Sequence, residues 1–206
     1  MKTVDGLELE AERADPDGSP WAGVVLLHPL PPNGGTMHSL LISTLFAALP
    51  PLGIAALRIN FRGVEGSDGA FDDGHSECLD AAAAVDALHA SLAADVPVVL
   101  AGWSFGADVA LSTSAPDIAG RIAIAPPLAF ARHLEASAQD PHRKLVILAE
   151  HDEFRSPASV MPTTERWPAT EVDVVGGASH FFVGRSDRVT DLVVAFLRKH
   201  WPPVWM

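Results

Sequence analysis

Three residues in the second half of this 206-residue chain have the types and the order of a nucleophile, its acid partner and its base: Ser104, Asp152 and His180. Ser104 stands in Gly102-Trp103-Ser104-Phe105-Gly106, after the apolar run Val96 to Ala101 and before a helical pattern. In a strand, sharp turn, helix sequence the turn residue is strained, and side chains two positions away on either side would collide with the crossing backbone. Glycines at 102 and 106 remove those side chains. The serine is then projected from the carboxyl end of the strand, above the positive end of the following helix, in the manner of a nucleophile elbow.

A serine hydroxyl attacks a carbonyl at neutral pH only with a base in hydrogen-bond reach, itself oriented by a carboxylate. In this arrangement the partners follow the serine in the order acid, histidine, on loops after later strands. The strand-like Lys144 to Ala149 is followed by Glu150-His151-Asp152-Glu153, and Glu171 to Val175 by Gly176-Gly177-Ala178-Ser179-His180. Asp152 and His180 are the expected acid and base. Glu150 lies close enough to the strand end to point sideways, and Glu153 lies one step further along; both remain competitors. So do His151, adjoining the acid, and His28, which precedes the serine and is expected to bond to neighbouring backbone.

The tetrahedral intermediate of acyl transfer needs preorganised N–H donors. The Phe105 N–H, directly after the serine, is one expected donor. The second is expected from His28-Pro29-Leu30-Pro31-Pro32-Asn33-Gly34-Gly35, where the prolines have no N–H and Leu30 is left as the donor.

The elements that must position these groups alternate along the chain. Apolar runs suited to buried parallel strands occupy Gly23 to His28, Ile54 to Ile59, Val96 to Ala101, Arg121 to Ala125, Lys144 to Ala149 and Glu171 to Val175. Helices are predicted over Met37 to Leu49, Ser76 to Ala93, Phe105 to Ser114, Pro127 to Ala138, Pro157 to Arg166 and Ser186 to His200. The pattern predicts an α/β fold with a mostly parallel doubly wound sheet, in one domain over residues 1–206. An N-terminal antiparallel hairpin is expected around Asp5-Gly6, between Lys2 to Val4 and Leu7 to Arg13. The apolar tail Trp201 to Met206 is expected to pack on the body or against a second subunit, as in a homodimer.

Composition narrows the function. Fourteen Lys and Arg against 26 Asp and Glu give a net charge of −12 with no basic cluster, so no nucleic acid partner is expected. No apolar run is long enough to cross a bilayer and the first ten residues are charged, so no membrane association and a cytoplasmic location are expected. The single cysteine, Cys78, cannot build a disulfide within the chain or a thiolate metal cluster, and is expected to be a helix packing residue.

With the elbow, the segment Leu57 to Val64, the loop His28 to Met37 and the stretch Gly177 to Phe182, the chain resembles the serine α/β-hydrolase superfamily. Within it, the resemblance is to the small lidless bacterial hydrolases related to dienelactone hydrolases. It covers essentially the whole chain and implies the α/β-hydrolase fold, the triad Ser104, Asp152 and His180, oxyanion donors at Leu30 and Phe105, and no metal or organic cofactor. Dienelactone hydrolases use a cysteine where this chain has Ser104, so dienelactone is not the implied substrate. Relatives often carry a second histidine where Leu30 stands. Arg62 and Asp68 are expected to form a loop-stabilising pair.

Residues 126–143 have room for one helix and short turns, so no cap domain is expected and the site should be open. An open site suits small, short-chain acyl esters as small-molecule substrates, with Trp103, Phe105, Leu30, Phe181 and Phe182 as candidates for its apolar wall. Triad chemistry equally serves thioesters, lactones, amides or perhydrolysis, and the scaffold also suits a non-catalytic small-molecule binding protein.

Overall fold

The computed structural model describes residues 1–131 and 134–203. Seven strands form one sheet: β1 (Ala11–Ala14), β2 (Ala22–Leu27), β3 (Ile54–Ile59), β4 (Val98–Trp103), β5 (Ile118–Ile124), β6 (Arg143–Ala149) and β7 (Thr170–Val175), in the order β1-β3-β2-β4-β5-β6-β7. Only β1 runs antiparallel, against β3; the remaining neighbours are parallel. β2, β3 and β4 are buried at every position, as expected for strands covered on both faces. The helices are α1 (Leu40–Ala48), α2 (Glu77–His89), α3 (Phe105–Ser112), α4 (Leu134–Gln139), α5 (Pro157–Thr164) and α6 (Ser186–His200).

Period-two alternation divides the strand side chains between two cores. Val24, Leu26, Ala101 and Ile147 pack with Leu41 and Leu45 of α1 and Val189, Val193 and Leu197 of α6. On the other face Val25, Leu27 and Leu100 meet Ala84 and Leu88 of α2 and Val109 of α3, while Val146 and Leu148 meet Val160 of α5. Burying such side chains from water is worth roughly 1.5–3 kcal/mol each, which makes the two helix layers the main source of stability.

The differences from the sequence reading have local causes. β4 runs to Trp103, because parallel pairing continues from Leu27 with Gly102 and from Trp103 with Ile124. Helix α1 starts at Leu40 because the Met37 N–H is taken by the Asn60 side chain at 2.8 Å and Ser39 closes a turn with Thr36. The expected N-terminal hairpin is reduced to a bridge between Lys2 and Glu8 around a turn in which Gly6 has φ +93°; the arm's sheet pairing is made by β1 with β3. Between β5 and β6 the helix expected over Pro127 to Ala138 is the short α4, Leu134–Gln139, and residues 127–131 form a loop before it. In the tail, Trp201 packs against Phe196 and His200, over Gly120; residues 204–206 lie outside the described residues.

Arg62 does not pair with Asp68. Its guanidinium donates to Asp80 through Nη2 at 2.7 Å and to Asp5 through Nη1 at 3.0 Å, and Asp80 also accepts the Arg62 N–H at 2.9 Å. Asp80 is fully buried, so the pair ties the loop after β3 to α2. Asp68 instead accepts the Glu8 N–H at 3.1 Å.

His28, at the end of β2, is fully buried. Its Nδ1 lies 2.7 Å from the Pro29 carbonyl oxygen and its Nε2 accepts the Phe61 N–H at 3.1 Å. Those partners define a neutral ring with the proton on Nδ1. Burial depresses its pKa to about 4.

Two expected outcomes follow. Asp80→Ala leaves a buried guanidinium without its main partner and should cost about 3–5 kcal/mol of stability, read from the urea midpoint. For His28, the folded pKa lies below the unfolded value of about 6.5, so the unfolded chain binds the extra proton and stability falls as pH drops from about 6.5 to 4. The full drop is on the order of 3 kcal/mol. His28→Phe should lose stability at pH 7 through two unmet backbone partners, yet show a smaller further loss than the wild type over that window. An unchanged pH slope in denaturant titrations would refute the assignment.

Candidate active site

Ser104 sits where β4 turns into α3, with φ 55° and ψ −118°. A Cβ on residue 102 would come within 2.0 Å of the Gly106 carbonyl oxygen, and one on residue 106 within 2.4 Å of the Leu27 carbonyl oxygen. Both glycines are therefore required by backbone contact. The Ser104 N–H donates to the Ile124 carbonyl at 2.8 Å, which ties the strained residue to β5.

The structure brings Ser104, Asp152 and His180 together from three loops. His180 Nε2 is 2.9 Å from Ser104 Oγ, and His180 Nδ1 is 2.8 Å from Asp152 Oδ2. An ionised Asp152 can only accept, so Nδ1 carries the proton and Nε2 is free to accept from the serine hydroxyl. Asp152 Oδ1 accepts the Phe154 and Arg155 N–H groups, each at 2.9 Å. Burial works to raise the Asp152 carboxyl, but the bonds from His180 and these two N–H groups outweigh it and hold the pKa below the usual value. The acid is thus kept ionised, as a partner that orients a histidine must be.

The competing residues have other partners. Glu150 accepts the Gly177 N–H at 2.7 Å, and His151 is an exposed side chain 3.6 Å from Glu150. Glu153 accepts the His180 N–H at 3.0 Å, so it holds the backbone of the histidine whose ring Asp152 holds. Nothing in the sequence separates that role from an ordinary surface carboxylate.

The Pro29–Leu30 peptide is trans and planar, so its C=O and N–H point in opposite directions. His28 grips the Pro29 carbonyl and thereby turns the Leu30 N–H the other way. Among the described residues, neither the Leu30 N–H nor the Phe105 N–H donates to a protein acceptor. Gly35 permits the fold of this loop: a Cβ there would lie 2.1 Å from the Pro29 oxygen.

Ser104 and His180 open into a cleft of about 430 Å³. Of the residues named for an apolar wall, Leu30, Trp103 and Phe181 line it. The Trp103 indole N–H donates to the His180 carbonyl at 3.1 Å, so this side chain also braces the histidine loop. Phe105 and Phe182 do not line the cleft. The Phe105 ring is fully buried against Phe61, Phe71 and Phe130. Phe182 is fully buried in the core beside α6, because the turn in which it takes φ 51° sends adjacent side chains to opposite sides. The sequence reading missed Phe154, 65% exposed with its ring 4.7 Å from that of His180, and Phe130 and Leu40 on the walls. Proximity of Phe154 to Asp152 in the chain was the available signal. Among the described residues no group of acidic, histidine and cysteine side chains is arranged to hold a metal ion, and no helix is long and apolar enough to cross a membrane.

Residues 24–204 match the model of the alpha/beta hydrolase family. The chain is 30% identical to an uncharacterized protein of Rickettsia prowazekii over 190 residues, 87% of this chain and 80% of that one. Its fold superimposes on an alpha-beta serine hydrolase homologue from Coxiella burnetii with a TM-score of 0.82 and 32% identity, over 92% of this chain and 91% of the other. A serine hydrolase without a lid from Xanthomonas campestris gives a TM-score of 0.82 at 30% identity, over 99% and 94% of the two chains. With an elbow serine at the edge of a doubly wound sheet, and a family match over nearly its whole length, this chain belongs to the alpha/beta hydrolase family.

Proposed function

We propose that the protein is a serine carboxylesterase acting on small, uncharged esters with short acyl chains. The observation that carries this reading is the unbroken hydrogen-bonded line from Asp152 through His180 to the hydroxyl of a strained Ser104. Two uncommitted backbone N–H groups, of Leu30 and Phe105, support it as the oxyanion site. The described residues that line the cleft are mostly apolar, and none of them is Asp, Glu, Lys or Arg, which favours a neutral ester over a phosphorylated or carboxylated one.

His180 takes the Ser104 proton as the hydroxyl oxygen attacks the ester carbonyl. The oxyanion is held by the Leu30 and Phe105 N–H groups. His180 then gives the proton to the leaving alkoxide, which departs as the alcohol and leaves an acyl-serine. Water, deprotonated by His180, attacks this acyl enzyme; the tetrahedral intermediate collapses to free the acid, and Ser104 recovers its proton. Asp152 stays ionised throughout and keeps the imidazole in the working tautomer. Apart from the ester and the water that deacylates the enzyme, the groups these steps call on are those of the chain.

The test is the initial rate on p-nitrophenyl acetate, butyrate and octanoate for the wild type and Ser104→Ala. Turnover of the shorter esters should exceed that of octanoate, and Ser104→Ala should lose on the order of a millionfold in kcat. Activity on all three esters that survives Ser104→Ala would remove the nucleophile assignment; Ser104-dependent activity confined to a thioester or anilide would move the reaction to another carbonyl class.

A further inference from the structure

Asp108 lies one helical turn after Ser104, on α3, and is fully buried. Its carboxylate accepts three successive backbone N–H groups: Leu128 on Oδ1 at 3.0 Å, and Ala129 and Phe130 on Oδ2, each at 2.8 Å. Its own N–H donates to the Ser104 carbonyl at 3.3 Å. One residue therefore contacts both the backbone of the elbow serine and the loop after β5.

That loop needs holding. Ala125 and Leu128 both adopt positive φ, 47° and 53°, without being glycine. Such conformations persist only where surrounding contacts over-determine them. Helix α4 begins at Leu134 rather than at Pro127, and in the loop before it three successive N–H groups converge on this one side chain. The loop in turn carries Pro127 and Phe130 to the cleft wall, and the Phe130 ring stands edge-on to that of Phe105 at 5.2 Å.

We propose that Asp108 is a positioning residue that fixes the Phe130 side of the cleft relative to Ser104, and through it sets how large an ester group the cleft accepts. The selectivity part rests on the esterase reading above; the clamp itself does not. Burial, only partly offset by these N–H groups and that of Ala131, raises the Asp108 pKa to about 6, in keeping with a carboxylate held mainly by backbone dipoles. Asp108→Asn keeps the shape but replaces one acceptor oxygen with an NH₂ that opposes the backbone N–H groups.

The experiment compares p-nitrophenyl acetate with p-nitrophenyl phenylacetate for the wild type, Asp108→Asn, Phe130→Ala and the double variant, alongside amide hydrogen exchange at residues 128–130. In the wild type the three amides should be protected. Asp108→Asn should raise their exchange and raise KM for the phenylacetate about tenfold, with kcat and the acetate rate within about twofold. Adding Asp108→Asn to Phe130→Ala should change selectivity little further, because one acts through the other. Equal losses on both esters, additive effects in the double variant, or unprotected amides in the wild type would overturn the assignment; the last reading holds even if Asp108→Asn does not fold. Protected amides, released by Asp108→Asn, in a protein that hydrolyses neither ester would count against the esterase reading while leaving the clamp in place.

Discussion

The site depends on one backbone constraint: a serine held at positive φ where β4 becomes α3, with no room for a Cβ two residues to either side. Holding such a conformation costs on the order of 1–3 kcal/mol, and the surroundings supply it. The Ser104 N–H is anchored on β5, and the first turn of α3 closes on the Ser104 carbonyl through Ala107 and Asp108. Close passage of the β2 end beneath Gly106 locks the same turn from below. Because the constraint is made by backbone from three neighbouring strands, the direction of the Ser104 side chain is set by the sheet.

Strain recurs along this edge of the sheet. Ala125 and Leu128 after β5, and Phe182 after β7, share positive φ with Ser104. In each case a specific contact opposes the strain: the Ala125 N–H reaches the Ile147 carbonyl at 2.7 Å, Asp108 holds residues 128–130, and Phe182 is buried in the core. The loops that shape the cleft are thus tied to strands and helices, and a reacting group placed there would need little reorganisation.

Buried charge is distributed to the same end. Asp80 is paired with a guanidinium, Asp152 with a histidine and two N–H groups, Asp108 with backbone N–H groups, and Glu77 with the N–H groups of Asp72 and Gly74. Each carboxylate fastens one loop to a helix or to a catalytic candidate, and the side chains lining the cleft include none of them. Among the described residues of this protein of net charge −12, no acidic side chain lines the cleft.

The sequence by itself determined the class of the fold, because fully buried parallel strands leave uninterrupted apolar runs: β3 and α6 coincide with their predicted limits. It also singled out Ser104, since two glycines around a serine between a strand and a helix have a local steric reason, and it ordered Asp152 and His180 behind later strands. Tertiary structure decided what local pattern could not. Adjacent Phe181 and Phe182 look alike in sequence, yet one faces the cleft and the other the core, since a positive-φ turn separates them. Glu153 and Asp108 read as ordinary carboxylates until the fold brings distant N–H groups onto them. Helix α4 begins at Leu134 rather than at Pro127, and the loop before it is held by a carboxylate 20 positions before Leu128, a partnership visible only once the chain is folded.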